Sequence, residues 1–177
     1  MSKLFIPDYY CEDVLLVDWQ SFAELGLKHV FLDIDNTLEL QGAKQAGQRT
    51  IQTVSNILQA GMTYSILSNA DSSRAQKFCE EFNLPYLGQA AKPLTFRMRE
   101  YLKKIDFTSA EVILVGDQVF TDLWAARFLG CQVLMVKSMG GKEGFFLRLK
   151  RVLEGFLRLI GQNPRKAKPA PVLQRKV

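Results

Sequence analysis

Short apolar runs alternate with amphipathic stretches along most of this chain. Runs of strand length, rich in Val, Ile, Leu and Phe, predict strands at 30–33, 63–67, 85–87, 111–115 and 132–136. Apolar residues at helical spacing, bounded by capping residues, predict helices at 18–25, 48–60, 71–82, 93–104 and 121–129. Pro93 stands at the first position of one of these helices, where proline is favoured. Strands separated by helix-length segments are typical of an α/β fold with a doubly wound parallel sheet.

Polar side chains stand where these predicted strands end. They are Asp33, Asp35, Ser68, Asn69, Lys92, Asp117 and Asp122. Because the carboxyl ends of parallel strands open into one crevice, we expect these side chains to lie close together. Two carboxylates in alternate positions repel each other, and a divalent cation relieves that repulsion. Mg²⁺ prefers oxygen ligands and binds through few carboxylates plus phosphate and water, so the sequence predicts a Mg²⁺-assisted reaction.

A carboxylate nucleophile fits this pattern. An ionised aspartate attacks phosphorus to form an aspartyl-phosphate, which divides one difficult hydrolysis into two easier steps. Asp33 suits this role because a strand holds it rigidly, and Asp35 suits the general acid and base that the reaction requires. The candidate metal ligands are Asp33, Asp35 and Asp117, with Asp122 as the residue that completes or orients the site.

The candidate phosphate-binding residues are Thr37, Ser68, Asn69 and Lys92. Lys92 supplies positive charge, and the hydroxyl of Ser68 with amides near Asn69 suits phosphoryl oxygens. Each residue also has a plainer interpretation. Thr37, Ser68 and Asn69 are ordinary turn and loop residues, and a lone lysine is usually solvated. Asp117 and Asp122 favour a helix N-terminus by their charge alone. Their occurrence in order after successive strands favours the functional interpretation.

The four segments DIDNT, SN, KP and GDQVFTD resemble the four motifs of the haloacid dehalogenase (HAD) superfamily of phosphohydrolases. The resemblance implies a HAD-like Rossmannoid core with Asp33 as nucleophile and Asp35 as acid, base and carbonyl ligand. It also implies phosphate binding by Ser68 and Lys92 and metal binding by Asp117. Many such enzymes carry an inserted cap domain. Here residues 36–67 are all needed for a loop, a helix and a strand, so we expect no cap and a site open to large substrates.

Charge is distributed unevenly along the chain, whose net charge is +5. Residues 1–140 carry a net charge of −3, whereas residues 141–177 carry +8. This division predicts a phosphatase domain at 1–140, a basic amphipathic helix at 141–162 and a disordered basic tail at 163–177. Apolar residues opposite Lys and Arg are typical of a helix at a membrane surface. The same pattern also fits a helix that packs its apolar face on the sheet.

A finer resemblance involves the N-terminal Pro7-Asp8-Tyr9-Tyr10 together with DIDNTL, SNA, AKP and GDQVFTD. These segments are similar to the YqeG family of HAD subfamily IIIA phosphatases, over most of residues 1–140. That family is similar to mitochondrial and plastid phosphatidylglycerophosphate phosphatases. The resemblance implies removal of the terminal phosphate of phosphatidylglycerophosphate to leave phosphatidylglycerol.

The leading hypothesis is therefore a Mg²⁺-dependent phosphatase acting on an anionic lipid. The N-terminus lacks a signal-peptide pattern, and no apolar run approaches the roughly 20 residues of a membrane span, so we expect a cytoplasmic protein, peripheral on the inner membrane face. The three cysteines lack metal-site spacing and the single His29 suits a structural role. Two alternatives stay open: a phosphatase for a soluble or nucleic-acid phosphate, and a phospho-Asp signalling or scaffold domain. We regard nucleic acid as the less favoured partner, and the sequence leaves the oligomeric state open.

Overall fold

Seven parallel strands form one sheet in the computed structural model, which describes residues 5–140 and 168–172. The strands are β1 (Tyr9–Cys11), β2 (His29–Asp33), β3 (Thr63–Leu67), β4 (Tyr86–Leu87), β5 (Val112–Gly116), β6 (Gln132–Val136) and β7 (Lys168–Pro169). Their order across the sheet is β4-β3-β2-β5-β6-β1-β7. The chain moves outward from β2 to β3 and β4, and then returns to β5 on the opposite side of β2. The topological switch point therefore lies at β2, where open α/β sheets bind their ligands.

Five α-helices of the described residues cover the two faces of the sheet. They are α1 (Trp19–Glu24), α2 (Gln48–Gln59), α3 (Ser72–Glu80), α4 (Phe96–Lys104) and α5 (Trp124–Leu129). Short 3-10 helices occur at Val14–Leu16 and Ser109–Glu111, and a π-helical turn at Val119–Leu123 leads into α5. The predicted α/β fold with a parallel sheet is confirmed. Between β2 and β3 the described chain forms only a loop and α2, as expected for a fold without a cap.

Alternation along the central strands divides the core into two layers. Val30 and Leu32 of β2 face one cluster with Trp19, Phe22 and Ile57 of the helices, and Phe31 faces the other. The second cluster contains the apolar side of α4 and α5, including Met98, Leu102 and Leu129. All residues of β2 and β5 are buried. Burial on both sides explains why these strands are continuous apolar runs.

The helix predicted to open at Pro93 begins three residues later, at Phe96. Ala91 has a positive φ of 61°, and the Leu94 amide donates to the Ala91 carbonyl to close a turn over the Lys92–Pro93 cis peptide. That turn carries Lys92 into the interior, as described below. Tertiary contacts of Lys92 thus override the local preference for proline at a helix start.

The N-terminal strand β1 was not predicted from the apolar pattern. Asp8 fixes this segment, because its carboxylate accepts hydrogen bonds from the Val133 amide at 3.0 Å and from Arg127 at 2.8 Å. Arg127 also donates to the Ile6 carbonyl at 2.6 Å. These contacts join the segment to β6 and α5 and allow β1 to pair with β6.

Residues 168–172 return to the sheet beside β1. The amides of Lys168 and Ala170 donate to the carbonyls of Asp8 and Tyr10, so the missing N–H of Pro169 falls on the side that makes no ladder bond. Within the tail at 163–177 that was predicted to be disordered, Lys168–Pro169 form the edge strand β7. The rest of that range, and the predicted amphipathic helix at 141–162, lie outside the described residues. Among the described residues, no helix is long and apolar enough to cross a membrane.

The single histidine is a core residue. His29 is 2% exposed, its Nδ1 hydrogen-bonds the Thr63 hydroxyl at 2.7 Å, and its ring stacks on Phe107 at 5.1 Å. Burial lowers the pKa of His29 to about 4, so the ring is neutral in the folded protein.

We expect the stability of the protein to fall between pH 7 and pH 5 because of His29. In the unfolded chain the ring binds a proton near its usual pKa of 6.5, so the unfolded state binds more protons in this interval. Linkage then lowers the free energy of unfolding by about 2 kcal/mol. Urea denaturation at the two pH values measures the change. His29→Gln, which does not titrate, should lose less stability, and an equal loss in this variant would contradict the assignment.

Candidate active site

A tight turn after β2 presents the first site residues. The Ile34 carbonyl accepts hydrogen bonds from the amides of Thr37 and Leu38, which folds the chain back directly after Asp33. Asn36 takes a positive φ of 59°, a conformation that asparagine tolerates. Asp33 therefore lies at the carboxyl end of the central strand, as the sequence predicts for a nucleophile.

A buried lysine joins three parts of the chain. The Lys92 ammonium lies 2.5 Å from a carboxylate oxygen of Asp33 and 2.6 Å from one of Asp122. The Lys92 side chain is 2% exposed and that of Asp122 is fully buried. Removing one partner from such a buried ion pair costs about 3–5 kcal/mol, since it leaves an uncompensated charge. The plainer interpretation of Lys92, as a solvated surface lysine, does not hold in this structure.

Asn69 holds the backbone of Lys92. Its side-chain amide donates to the Lys92 carbonyl, and its side-chain oxygen accepts from the Lys92 amide, both at 2.8 Å. Asn69 was predicted to bind phosphate. In this structure its side chain instead positions Lys92, and phosphate binding by Asn69 stays a prediction.

Three carboxylates converge beside the lysine. One oxygen each of Asp33, Asp117 and Asp122 lies within 4.8 Å of the other two. An Asp117 oxygen is buried with no hydrogen-bond partner among the described residues. Such an orphaned acceptor next to further carboxylates has the chemistry of a Mg²⁺ ligand set. The residues present therefore fit the predicted ion. Asp122, predicted to complete or orient the site, contacts Lys92 and accepts a hydrogen bond from the Gln118 amide at 3.1 Å, and its orienting role stays a prediction.

Burial and mutual repulsion shift the pKa values of these groups. Burial raises the pKa of Asp33, and the charges of Asp122 and Asp117 raise it further, while Lys92 opposes both effects. Burial raises the pKa of Asp117 to about 6, with a contribution from Asp122 and an opposing hydrogen bond from Ser138. Burial alone would lower the pKa of Lys92, but Asp122 and Asp33 outweigh it and keep the ammonium charged. Because burial and mutual repulsion make the ionised carboxylates unfavourable, this site favours binding of a cation.

Asp35 is directed away from the acidic cluster. Its two oxygens accept hydrogen bonds from Arg74 of α3 at 2.6 and 2.9 Å, and the Gly42 amide donates to it at 2.9 Å. Burial would raise the pKa of Asp35, but Arg74 and Gly42 lower it overall. The Asp35 carboxylate is therefore not among the three clustered acids. The roles of Asp35 as acid, base and carbonyl ligand stay predictions, and the acid and base roles require that the carboxylate leave its pair with Arg74.

Two buried hydroxyls stand near the same turns. Ser68 is 2% exposed, and its oxygen accepts from the Ala70 amide at 3.1 Å, which fixes the oxygen and leaves its proton free to rotate. The Thr37 hydroxyl is buried with no hydrogen-bond partner among residues 5–140 and 168–172. Both placements are compatible with the predicted phosphate contacts.

Two residues that shape the site were not predicted from the sequence. Gly116 ends β5, and a Cβ built there would lie 2.3 Å from the Asp122 carboxyl carbon. Only glycine therefore lets Asp122 reach Lys92. Ser138, just past the end of β6, hydrogen-bonds Asp117. Its position after a strand was a usable signal, whereas the role of Gly116 depends on a contact that no local pattern shows.

Comparisons with known proteins show that this chain is similar to HAD-like hydrolases. A HAD-hydrolase-like family model matches residues 89–144, a stretch that contains Lys92, Asp117 and Asp122. A crystal structure of an uncharacterized protein from Listeria monocytogenes serotype 4b has the same fold. It superposes with a TM-score of 0.53 at 15% identity and covers 71% of this chain and 99% of its own.

Two relatives with similar sequences are named as phosphatases. The "Probable phosphatase YqeG" of Bacillus subtilis is 24% identical over 154 residues, which are 87% of this chain and 90% of that protein. "Phosphatidylglycerophosphate phosphatase 1, chloroplastic/mitochondrial" of Arabidopsis thaliana is 27% identical over 167 residues, which cover 86% of this chain but 47% of that protein. These matches confirm the resemblance seen in the motifs, and they support the predicted enzyme class, a HAD-like phosphatase.

Gly116→Ala tests the close packing behind the site. The added methyl group displaces the Asp122 carboxylate from Lys92, so we expect Mg²⁺ affinity and phosphatase turnover to fall by about 10- to 100-fold. Calorimetric titration with Mg²⁺ and hydrolysis of p-nitrophenyl phosphate measure the two effects. Gly88→Ala is the matched control, because its Cβ would meet the Ala75 side chain and the Ser72 backbone, both at 3.2 Å, and none of the acids. Equal behaviour of the two variants would contradict the role of Gly116.

Proposed function

We propose that this protein hydrolyses a phosphate monoester through an aspartyl-phosphate on Asp33, and that its substrate is phosphatidylglycerophosphate. The observation that supports the chemistry best is the Lys92 ammonium held between Asp33 and Asp122 at the switch point of the sheet. The name of the Arabidopsis relative supports the substrate, although the chain spans less than half of that protein.

The first half of the reaction transfers the phosphoryl group. An oxygen of Asp33 attacks phosphorus while the bond from phosphorus to the lipid oxygen breaks, and Asp35 gives its proton to that leaving oxygen. Asp33, Asp117 and the Asp35 carbonyl would hold Mg²⁺, which supplies positive charge that keeps Asp33 ionised and neutralises phosphoryl oxygens. Lys92, with the hydroxyls of Ser68 and Thr37, orients the phosphoryl group.

The second half releases phosphate. Water attacks phosphorus of the aspartyl-phosphate, Asp35 takes the proton of that water, and the Asp33 carboxylate and inorganic phosphate are formed. Both halves need Asp35 free of its pair with Arg74. A phosphate or head-group anion offers the guanidinium an alternative bidentate partner, so arrival of substrate releases Asp35 for proton transfer.

The nucleophile is tested by Asp33→Asn. This variant keeps the size of the side chain but removes the attacking carboxylate, so we expect release of phosphate from phosphatidylglycerophosphate to fall by about 1,000-fold or more. Colorimetric phosphate release with Mg²⁺ measures it. Asp106→Asn is the control: Asp106 is exposed, lies after α4, and has a positive φ that asparagine accepts. Normal turnover by Asp33→Asn would end the assignment.

The lipid substrate is tested by a panel of phosphate esters, with and without anionic vesicles. Phosphatidylglycerophosphate in vesicles should be hydrolysed in preference to sugar and nucleotide phosphates.

Truncation after Gly140 is a poor test of the basic segment, because it also removes β7. Changing Arg148, Lys150, Arg151 and Arg158 to Gln keeps β7. At roughly 1 kcal/mol per basic residue near an anionic surface, this variant should lose vesicle binding and lipid turnover while it keeps turnover of soluble esters. Preference for a soluble phosphate would favour the alternative reading.

A further inference from the structure

Several exposed apolar side chains lie in the segments that carry the site residues. Ten large apolar residues are exposed in the part of the chain that the structure describes, and four of them lie in the turns and helix starts next to the site residues. These four, which we name the apolar rim, are Leu40, Leu94, Phe96 and Phe120, with exposures of 57%, 61%, 56% and 40%. They lie in three segments that follow the carboxyl ends of β2, β4 and β5, so they are on one edge of the sheet.

Each rim residue is tied to the site by its neighbours. Leu40 precedes Gln41 and Gly42, whose amides donate to Asn36 and Asp35. Leu94 follows Lys92 by two residues and closes the turn described above. Phe96 begins α4, two residues further on.

Phe120 lies in the π-helical turn between Asp117 and Asp122, and its ring packs edge-on against Trp124 at 5.0 Å. The four rim residues therefore belong to the same turns and helix starts that carry the site residues.

We propose that the apolar rim docks this enzyme on an anionic lipid bilayer, with rim side chains in the interfacial layer and the phosphate site facing the head groups. This inference rests on the proposed function, since it identifies how a lipid phosphate would reach Asp33. A substrate that binds in the buried polar site and also contacts the apolar rim must itself be amphiphilic. A lipid phosphomonoester in a bilayer presents both chemistries together.

The distribution of charge along the chain also favours an anionic bilayer as the partner of the apolar rim. Residues 1–140 have a net charge of −3, so the body as a whole is not attracted to an anionic surface. The net charge of +8 belongs to residues 141–177, and the chain enters that region at Gly140. Gly140 lies against the Asn36 side chain, beside the site. Attraction at long range then comes from the basic region, and contact at short range comes from the rim.

Sedimentation with vesicles tests the rim directly. The rim variant Leu94→Ser/Phe96→Ser should bind vesicles of phosphatidylglycerol and phosphatidylcholine about tenfold more weakly than the native chain, because two large apolar groups no longer leave water. The matched control is Leu25→Ser/Leu58→Ser, which removes side chains of 59% and 54% exposure at the ends of α1 and α2, away from the apolar rim. The control should bind as the native chain does. Both variants should hydrolyse p-nitrophenyl phosphate normally.

Several outcomes would overturn the docking proposal. Equal vesicle binding by the rim variant and the control would do so. A change in self-association of the rim variant in sedimentation velocity, without a change in vesicle binding, would show that a second copy covers the rim. The proposed function fails differently: vesicle binding that depends on the rim, without hydrolysis of phosphatidylglycerophosphate in vesicles or in detergent, would leave the docking surface standing and remove the lipid phosphatase activity.

Discussion

The buried ammonium of Lys92 is the interaction around which the carboxyl edge of this sheet is organised. Its two carboxylate partners come from the end of the central strand and from the turn that leads into α5. A lysine with its charge in the interior is stable only if both partners are present. Asn69 fixes its backbone, and Gly116 makes room for Asp122. The site is thus also a structural joint between β2, β5 and the loop before α4.

The same joint concentrates negative charge. The carboxylates of Asp33, Asp117 and Asp122 lie close together beside the ammonium group of Lys92. Burial strengthens the repulsion between these carboxylates. A divalent cation offsets the negative charge that three carboxylates and one ammonium leave in such a site. The sheet supplies the rigidity to hold these groups close before any ligand arrives, which is the preorganisation that electrostatic catalysis needs.

Much of this architecture was predictable because β2, β3, β5 and β6 are buried on one or both faces and leave clear apolar runs. The order of the site residues followed from one rule, that parallel strands share a carboxyl edge. Three features were not predictable from local patterns. The strand β1 is only three residues long and depends on Asp8, whose partner Arg127 is 119 residues away. The helix α4 begins at Phe96 and not at Pro93, because the contacts of Lys92 with Asp33, Asp122 and Asn69 fix the turn before it. The pair between Asp35 and Arg74 joins residues 39 apart.

The return of the chain to β7 has a consequence for the edge of the sheet. Lys168 pairs with Tyr9 of β1, and the Asp18 amide donates to the Pro171 carbonyl at 2.9 Å. Residues 168–172 therefore join β1 to the start of α1. Without this segment the backbone of β1 would present an unpaired edge, which is a template for strand pairing with another chain. The short strand β7, with its proline, thus protects the sheet against such pairing.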